Sequence, residues 1–358
     1  MVDYGNAEDR SHRSANMTVD AATGRQDGDK MNAVVYSEYG DPSVFEQKEV
    51  DRPTPNDSEV LIDVRAASVN AGDCHLMRGS PFLVRFMYGG ILQPKLQILG
   101  MDVAGRVEVV GKNVTRFHPG DAVFGDVSKC GFGGFADYVV ATADTLVMKS
   151  ADVSFEEAAV VPTAAVTALQ GLRGAGQIQS GQNVLINGAS GGVGTFAVQI
   201  AKSFGADVTG VCSTEKMEIV RSIGADRVID YTREEFTEHR QSYDLILDTA
   251  ASHSLFDYKR ALTPEGTYVM VGGPVGRLFQ AMIFGPLLSV VGSKNLRNLL
   301  MEPNKDDLAF VKELLETGTV KPVIDSRYAL AEVPEAIRYL EEGRAKGKVL
   351  VTLDANGS

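Results

Sequence analysis

Cysteine is scarce in this chain and tryptophan is absent. The 358 residues include three cysteines, Cys74, Cys130 and Cys212, and no CxxC pair. A zinc site with four cysteine ligands is therefore impossible. Because disulfide-stabilised extracellular domains carry many paired cysteines, the small odd number indicates a reducing compartment, and we predict a cytoplasmic location.

Positive charge and long apolar runs are also in short supply. The chain has 35 Lys and Arg against 47 Asp and Glu, a net charge of −12. This balance disfavours nucleic acid as a partner, because phosphate binding needs clustered cations. The most apolar segment, residues 278–291, is interrupted by Gly285 and Pro286 and is shorter than the roughly 18 residues of a membrane span. We expect neither a nucleic-acid partner nor a transmembrane segment.

The first thirty residues differ in composition from the rest of the chain. Residues 1–30 are polar throughout and mix acidic residues with arginines. A secretory signal would need an apolar stretch, and a transit peptide would be poor in acids. We predict a disordered N-terminal extension over residues 1–30 and a folded chain that begins at Met31.

The apolar pattern changes midway along the chain. Between residues 31 and 153, short alternating segments are separated by glycine-rich turns, which predicts a β-rich domain. A single helix is predicted over residues 154–173, with Ser154 and Glu157 forming a capping box. Beyond Asn183, strands and helices alternate as in a doubly wound parallel sheet. The predicted fold class is α/β.

The sharpest motif is the glycine-rich segment 187–194 (NGASGGVG), which follows an apolar strand and opens an apolar helix. This context is typical of a dinucleotide-binding turn. Gly188 permits the tight turn, Gly191 and Gly192 let backbone N–H groups approach a pyrophosphate, and Gly194 lets the helix pack on the sheet. The alternative is a glycine-rich turn without a ligand. The predicted cofactor contacts here are Gly188, Ser190, Gly191, Gly192, Val193 and Gly194.

The end of the next strand indicates which dinucleotide is bound. An NAD-binding fold usually places an acidic residue there to accept hydrogen bonds from the ribose 2′-hydroxyl. This chain has no acid at that tip, and Ser213, Thr214, Lys216 and Tyr231 offer donors suited to a 2′-phosphate. Alternatively, Lys216 is an ordinary solvated helix residue. The sequence favours NADPH.

Together these segments resemble the medium-chain dehydrogenase/reductase superfamily. The resemblance is nearest to its zinc-independent quinone oxidoreductase (zeta-crystallin-like) branch, which includes the chloroplast-envelope quinone oxidoreductase homologues. The segments that carry it are 68–73 (SVNAGD), 99–105 (LGMDVAG), 117–121 (FHPGD), 187–194 and 347–349 (GKV).

The resemblance implies two domains. Residues 31–153 and 294–358 would form a GroES-like catalytic domain, and residues 154–293 an inserted Rossmann domain, with the active-site cleft at their junction. It also implies a homodimer joined through the Rossmann sheets.

Further cofactor contacts are expected outside the glycine-rich segment. By resemblance, Thr163 and Thr167 lie near the nicotinamide and Lys348 touches the cofactor from the returning tail. Packing residues of a helix are the alternative for the two threonines. Gly272 and Gly273 end the fifth predicted strand, at the edge where ligands gather in open α/β sheets.

The resemblance departs from the zinc-containing branch at its ligand positions. Asn70 stands where those enzymes carry a cysteine ligand, and Met101 stands where they carry a histidine. Neither an amide nor a thioether is a competent zinc ligand in such a site. We therefore predict no metal.

Without a Lewis acid, the expected reaction is hydride transfer to a small apolar acceptor that is already electrophilic, a quinone or an α,β-unsaturated carbonyl compound. The candidate catalytic residues are Asn70, whose amide both donates and accepts hydrogen bonds, His75 as a proton donor, and Asp73. Their alternatives are a turn asparagine, an exposed loop histidine and a structural hydrogen-bond acceptor.

Apolar residues predict the wall of the substrate pocket. Phe82, Phe86 and Met87 would face Phe279 and Phe284 across it; ordinary core or dimer interface is the alternative. Two other functions stay open. One is a zinc-independent carbonyl reductase or alcohol dehydrogenase, and the other is a non-catalytic NADPH-binding protein.

Overall fold

The computed structural model describes residues 30–88, 90–238, 242–273 and 293–353. The predicted N-terminal extension lies outside these ranges except for Lys30, which begins the first strand. Within the described ranges, no helix is long and apolar enough to cross a membrane.

The secondary structure alternates as the α/β prediction requires. The strands are β1 (Lys30–Val35), β2 (Glu46–Asp51), β3 (Glu59–Val69), β4 (Asp102–Val110), β5 (Ala122–Asp126), β6 (Tyr138–Thr142), β7 (Leu146–Met148), β8 (Asn183–Asn187), β9 (Asp207–Cys212), β10 (Arg227–Asp230), β11 (Tyr243–Asp248), β12 (Leu262–Met270), β13 (Asn295–Asn298), β14 (Ile324–Ala329) and β15 (Lys348–Thr352). The helices are α1 (Ala71–Arg78), α2 (Phe82–Met87), α3 (Phe155–Ala159), α4 (Pro162–Leu169), α5 (Gly192–Ser203), α6 (Met217–Ser222), α7 (Leu255–Ala261), α8 (Lys305–Glu316) and α9 (Val333–Glu341).

The β-rich part is a seven-stranded sheet closed by the end of the chain. Its strand order is β14-β15-β3-β4-β5-β7, and β6 also pairs with β3. The central strand β3 is long and almost wholly buried, whereas its alternating sequence predicts a half-buried strand. Strand β15 pairs antiparallel with β3, so the tail returns to the sheet whose strands β3 to β7 lie within residues 59–148.

The second sheet is parallel and has six strands in the order β10-β9-β8-β11-β12-β13. The chain moves outward from β8 in one direction and then from β11 in the other. A crevice forms at the carboxyl ends of β8 and β11, where the direction reverses, and ligands bind at such points. The two sheets confirm the predicted α/β class with a GroES-like part and a Rossmann-like part.

The helix predicted over residues 154–173 is interrupted. Helix α3 begins with the predicted capping box, in which the Glu157 backbone N–H donates to Ser154 Oγ at 3.1 Å. The helix then stops before Pro162, which lacks an N–H and would clash with the carbonyl four residues earlier. Helix α4 starts at Pro162 and ends in a π-helical turn over residues 170–175.

The chain leaves the second sheet later than expected. Strand β13 pairs with β12, and Leu308, Val311 and Leu315 of α8 are buried in the core that this sheet shares with α5. These residues lie beyond the boundary at residue 294 that the sequence analysis expected. Because β13 is short and its residues (NLRN) are mostly polar, no local pattern marked it as a strand.

Candidate active site

The glycine-rich segment forms a tight turn between β8 and α5. Gly188 has a φ of +79°, in the left-handed region, and a Cβ there would lie 2.3 Å from Thr249 Oγ1. A Cβ on Gly194 would lie 2.1 Å from the Gly188 carbonyl oxygen. Gly188 thus permits the tight turn, as the sequence analysis expected. Gly194 is required by the backbone of the turn itself, whereas the sequence analysis expected packing of the helix on the sheet.

A cleft of about 290 Å³ opens beside this turn. It brings together five of the predicted cofactor residues: Gly188, Ser190, Ser213, Lys216 and Tyr231. Among the described residues, a Cβ on Gly191 would meet only the Gly188 carbonyl oxygen, at 3.4 Å. The N-terminus of α5 is therefore open to a phosphate group, and the turn and cleft fit a dinucleotide.

Two residues predicted to bind the 2′-phosphate are already engaged. The Thr214 hydroxyl donates a short hydrogen bond to Asp230 and does not line the cleft. Lys216 lines it, but its Nζ donates to the carbonyl oxygens of Gly343 at 2.8 Å and Ala345 at 3.1 Å. Burial lowers the pKa of Lys216. An ammonium has three donors, so one N–H of Lys216 stays available for a ligand.

Gly272 and Gly273 follow β12 at the same edge of the sheet. Gly273 has a φ of +132°, and a Cβ there would lie 2.3 Å from Ala251 Cβ. A Cβ on Gly272 would lie 3.1 Å from the Thr249 carbonyl oxygen. The two glycines therefore let the chain pass close to the end of β11.

A second group of polar side chains lies where the two sheets meet. Cross-strand pairing places Ser68 opposite Asp102 and Asp102 opposite Asp126, and β15 brings its first residue to the end of β3. We call this group the junction cluster. Its members are Ser68, Asn70, Asp102, Asp126, Thr163 and Lys348.

Asp102 is the acceptor at the centre of the junction cluster. Its Oδ2 accepts hydrogen bonds from Ser68 Oγ at 2.9 Å and Asn70 Nδ2 at 3.0 Å. Its Oδ1 accepts from the backbone N–H of Thr163 at 2.9 Å and from Thr163 Oγ1 at 2.7 Å. Helix α4 is thus tied to the seven-stranded sheet at its first turn.

The amide of Asn70 has no donor left for a ligand. Besides Asp102, Nδ2 donates to the Ser68 carbonyl oxygen at 3.3 Å, so both of its N–H bonds are used. Its Oδ1 accepts from Lys348 Nζ at 2.6 Å and retains one lone pair. Toward a ligand, Asn70 could therefore only accept a hydrogen bond, whereas the sequence analysis expected it to donate as well.

Thr167 is likewise engaged within its own helix. Its Oγ1 donates to the Thr163 carbonyl oxygen at 2.6 Å, one helical turn earlier. This contact within the helix fits the alternative of the sequence analysis, in which Thr167 is a structural residue of its helix.

Asp73 lies beside the cluster and is fully buried. Its carboxylate accepts from the backbone N–H groups of Asn70 at 2.9 Å and Gly100 at 3.0 Å. Burial raises the pKa of Asp73 to about 7, although both hydrogen bonds favour the carboxylate. These contacts make Asp73 the residue that shapes the turn between β3 and α1.

His75 and the predicted apolar wall lie at the surface. The His75 side chain is exposed on α1, and its Nδ1 is 3.1 Å from the Ser80 carbonyl oxygen. Phe82, Phe86 and Met87 of α2 are 60–69 % exposed. The opposite wall, Phe279 and Phe284, lies outside the described residues.

The sequence analysis did not single out two buried acids. Asp126 Oδ2 accepts a hydrogen bond from Thr163 Oγ1 at 3.1 Å. Burial, and to a smaller extent the negative charge of Asp102, raises the pKa of Asp126 to about 6. Asp248 ends β11 and accepts from Asn187 Nδ2 at 2.8 Å, beside the glycine-rich turn. For Asp248, its position at the carboxyl end of β11, beside the crevice, was the available signal.

Comparison with known proteins agrees with this architecture. A family model described as "Alcohol dehydrogenase GroES-like domain" matches residues 56–152, and one described as "Zinc-binding dehydrogenase" matches residues 223–351. The chain is 33 % identical over 337 residues to a chloroplast envelope quinone oxidoreductase homolog of Arabidopsis thaliana, covering 90 % of this chain and 99 % of that one.

Two further comparisons point the same way. An NADPH-dependent alkenal/one oxidoreductase of Arabidopsis thaliana is 32 % identical over 349 residues, 94 % of this chain and 82 % of the relative. The structure of a quinone oxidoreductase from Coxiella burnetii superimposes with a TM-score of 0.82 at 28 % identity, covering 91 % of this chain and all of that one. The chain is a nicotinamide-dependent oxidoreductase that belongs to the medium-chain dehydrogenase/reductase superfamily, in its quinone oxidoreductase branch.

Proposed function

We propose that this enzyme uses NADPH to reduce quinones or α,β-unsaturated carbonyl compounds and that it needs no metal ion. The observation that carries the proposal is the pairing of Gly191 with Gly347. It brings the dinucleotide-binding turn next to Lys348 and the junction cluster, so the reactive end of a bound dinucleotide would lie where the two sheets meet.

The cleft supports the choice of NADPH. Ser213, Tyr231 and the remaining N–H of Lys216 surround the end of β9, which carries no acidic residue at its tip. Asp230 is near, but its carboxylate accepts hydrogen bonds from Thr214 and Thr232. Because these hydroxyls occupy the Asp230 carboxylate, it is less able to accept a hydrogen bond from the ribose 2′-hydroxyl, which NADH carries where NADPH has a phosphate.

The chain's own residues would bind and orient, while the reduced nicotinamide supplies the hydride when bound. The Gly191 backbone N–H donates to the Gly188 carbonyl oxygen at 3.0 Å, so it closes the turn and does not face a phosphate as the sequence analysis expected. The backbone N–H groups of Gly192 and Val193, in the first turn of α5, would hold the phosphates. Asn70 and Thr163 would shape the far end of the site. We place the proton donor at His75, which is exposed and therefore exchanges protons with water.

The contacts of Asn70 support a reaction without zinc. Its amide is held by Lys348 and Asp102, and an ammonium 2.6 Å from Oδ1 opposes the approach of a divalent cation. Met101, at the other expected ligand position, offers a thioether, which is a poor ligand for zinc.

A panel of acceptors tests the proposal. NADPH oxidation is followed with a quinone, an enone and a saturated ketone, before and after dialysis against a chelator. We expect turnover of the quinone or the enone, with no loss of rate after dialysis. Turnover of the ketone alone would establish the carbonyl reductase alternative, and NADPH binding without any turnover would establish a binding protein.

Two further predictions concern the whole protein. A homodimer is expected by family resemblance and is tested by light scattering of the purified chain. A cytoplasmic location, inferred from the cysteine content, is tested by fractionation of the source cells.

A further inference from the structure

Lys348 is buried, which is rare for a lysine, and its side chain is 3 % exposed. Its Nζ donates to Asn70 Oδ1 at 2.6 Å and lies 3.5 Å from the Val69 carbonyl oxygen and 3.6 Å from Asp102 Oδ2. The charge of the ammonium is therefore balanced by Asp102, and its short hydrogen bond is to the amide oxygen of Asn70.

The same side chain reaches from the glycine-rich turn to the junction cluster. A Cβ on Gly192 would lie 3.1 Å from Lys348 Cδ, so the aliphatic stem packs against the first residue of α5. At its other end, the ammonium contacts Asn70 at the end of β3. A shift of this one side chain would thus be transmitted to both halves of the candidate site.

The charged partners of Asn70, Lys348 and Asp102, determine which way its amide points. Oδ1 faces the ammonium of Lys348, and Nδ2 faces the carboxylate of Asp102. A reversed amide would place its N–H groups against an ammonium and its oxygen against a carboxylate. Without Lys348, Oδ1 loses its donor and Asp102 loses its nearby cation, so the amide is held from its Nδ2 side alone.

We propose that Lys348 is a positioning residue, which acts through Asn70 to seat the nicotinamide end of the cofactor and does not itself bind the cofactor. This inference rests on the proposed function. It replaces the direct cofactor contact that the family resemblance implied for Lys348.

The positioning role depends on the charge of Lys348. The charged groups that face it are Asp102 at the start of β4, Asp73 on α1 and Asp126 at the end of β5. Burial lowers the pKa of Lys348 although all three carboxylates oppose the shift. The rate should therefore fall as pH rises through a value below the usual range of lysine, because the neutral amine donates a weaker hydrogen bond to Asn70 Oδ1 and no longer balances the charge of Asp102.

The test compares Lys348→Met, Asn70→Ala and the double variant with the wild type. Lys321→Met serves as the control, since Lys321 is an exposed lysine of the same C-terminal region. Three quantities are measured: kcat with the preferred acceptor across pH, the Kd of NADPH, and the fluorescence of the bound reduced nicotinamide. The fluorescence reports the seating of the ring whether or not turnover occurs.

We expect each single variant to lower kcat by about 10- to 100-fold, the loss that a misplacement of about 1 Å produces. The Kd of NADPH should change less than about threefold, and the double variant should lose no more than the worse single variant, because both remove one contact. The alkaline fall in rate should be absent in Lys348→Met, and the nicotinamide fluorescence should change in all three variants.

Several results would overturn the inference: an unchanged kcat in Lys348→Met, a weakened Kd of NADPH at full kcat, or additive losses in the double variant. If Lys348→Met does not fold, the inference is tested by Asn70→Ala alone, and an unchanged kcat in Asn70→Ala overturns it. If the wild type reduces none of the acceptors, the proposed function fails. The fluorescence comparison then decides the inference separately, and unchanged fluorescence in the variants rejects it.

Discussion

Gly188 and Asp73 show how the surroundings constrain single residues near the site. Gly188 is held in a left-handed backbone conformation with a neighbouring hydroxyl in the space of a side chain. Asp73 is held as a buried acceptor between two backbone N–H groups. The constraint on Gly188 is steric, so thermal unfolding and ligand binding test it. The constraint on Asp73 is electrostatic, so the pH dependence of stability tests it.

Gly188→Ala should lower the free energy of unfolding by about 1–3 kcal/mol and weaken NADPH binding at least ~10-fold, because the added methyl group adds strain and displaces Thr249 from the turn. Gly318→Ala is the matched control. Gly318 has a φ of +68°, and no described atom lies within 4 Å of its would-be Cβ. Thermal unfolding and an NADPH titration measure both effects; equal loss of binding in the control would refute the assignment of the turn.

The raised pKa of Asp73 predicts that stability falls with increasing pH. In the folded state Asp73 keeps its proton up to about pH 7, whereas in the unfolded state it loses it near pH 3.8. Between these values the folded state binds more protons, so the free energy of unfolding decreases as pH rises, by at most about 1.4 kcal/mol per pH unit from this group.

Asp73→Asn removes that contribution. Urea unfolding between pH 5 and 8 should therefore show a shallower decline in the variant than in the wild type. Asp126, with a pKa of about 6, adds a decline of the same sign in both proteins. Parallel profiles would contradict the assignment of the pH dependence to Asp73.

Helix α2 differs from an ordinary surface helix, which buries its apolar face. None of its six residues is buried, although five of them are apolar. Its neighbour α1, by contrast, buries Leu76 and Met77 in the core of the seven-stranded sheet. An exposed apolar helix that packs beside α1, the helix that follows Asn70, is consistent with the predicted wall of a substrate pocket.

Phe86→Ala should raise the KM for a long-chain enone about 3- to 10-fold while leaving the KM for a short-chain enone unchanged, because only the longer chain buries its apolar surface against the ring. Phe256→Ala on α7 is the control, since Phe256 is 62 % exposed and Phe86 is 69 % exposed. Steady-state kinetics give the KM of each variant for the long-chain and the short-chain enone. An equal change in both KM values of Phe86→Ala would argue against Phe86 as part of a pocket wall.

At the scale of the whole molecule, the candidate site depends on segments far apart in the chain. Lys348 and Asn70 are 278 residues apart, and the pairing of Gly191 with Gly347 joins the parallel sheet to the returning tail. A cofactor in this site would contact both sheets. Its binding should therefore stabilise the molecule as a unit.

NADPH at 100 times its Kd should stabilise the folded state by about 2.7 kcal/mol, which corresponds to a rise in Tm of roughly 4 °C. NADH at the same concentration should raise the Tm less, because it lacks the phosphate that the donors near Ser213 favour. Differential scanning fluorimetry compares the two rises in Tm. In Lys216→Met, the difference between the rise with NADPH and the rise with NADH should be smaller than in the wild type. Equal shifts in the wild type would reject the preference for NADPH.

The sequence by itself determined the features whose cause is local. The tight turn at Gly188, the capping box at Ser154 and the alternation of strands and helices each depend on residues within a few positions of one another. The absence of an acid at the tip of β9 could likewise be read directly. Such signals suffice for the fold class and for the place of the dinucleotide-binding turn.

Only the tertiary structure decided how those residues are used. The partners of Asn70 and Lys348, the engagement of Thr214 by Asp230 and the place of β13 in the parallel sheet come from contacts between distant segments. Hydrogen bonds and burial between such segments have no local pattern in the sequence. The chemistry of the site thus depends on how the returning tail meets the first sheet.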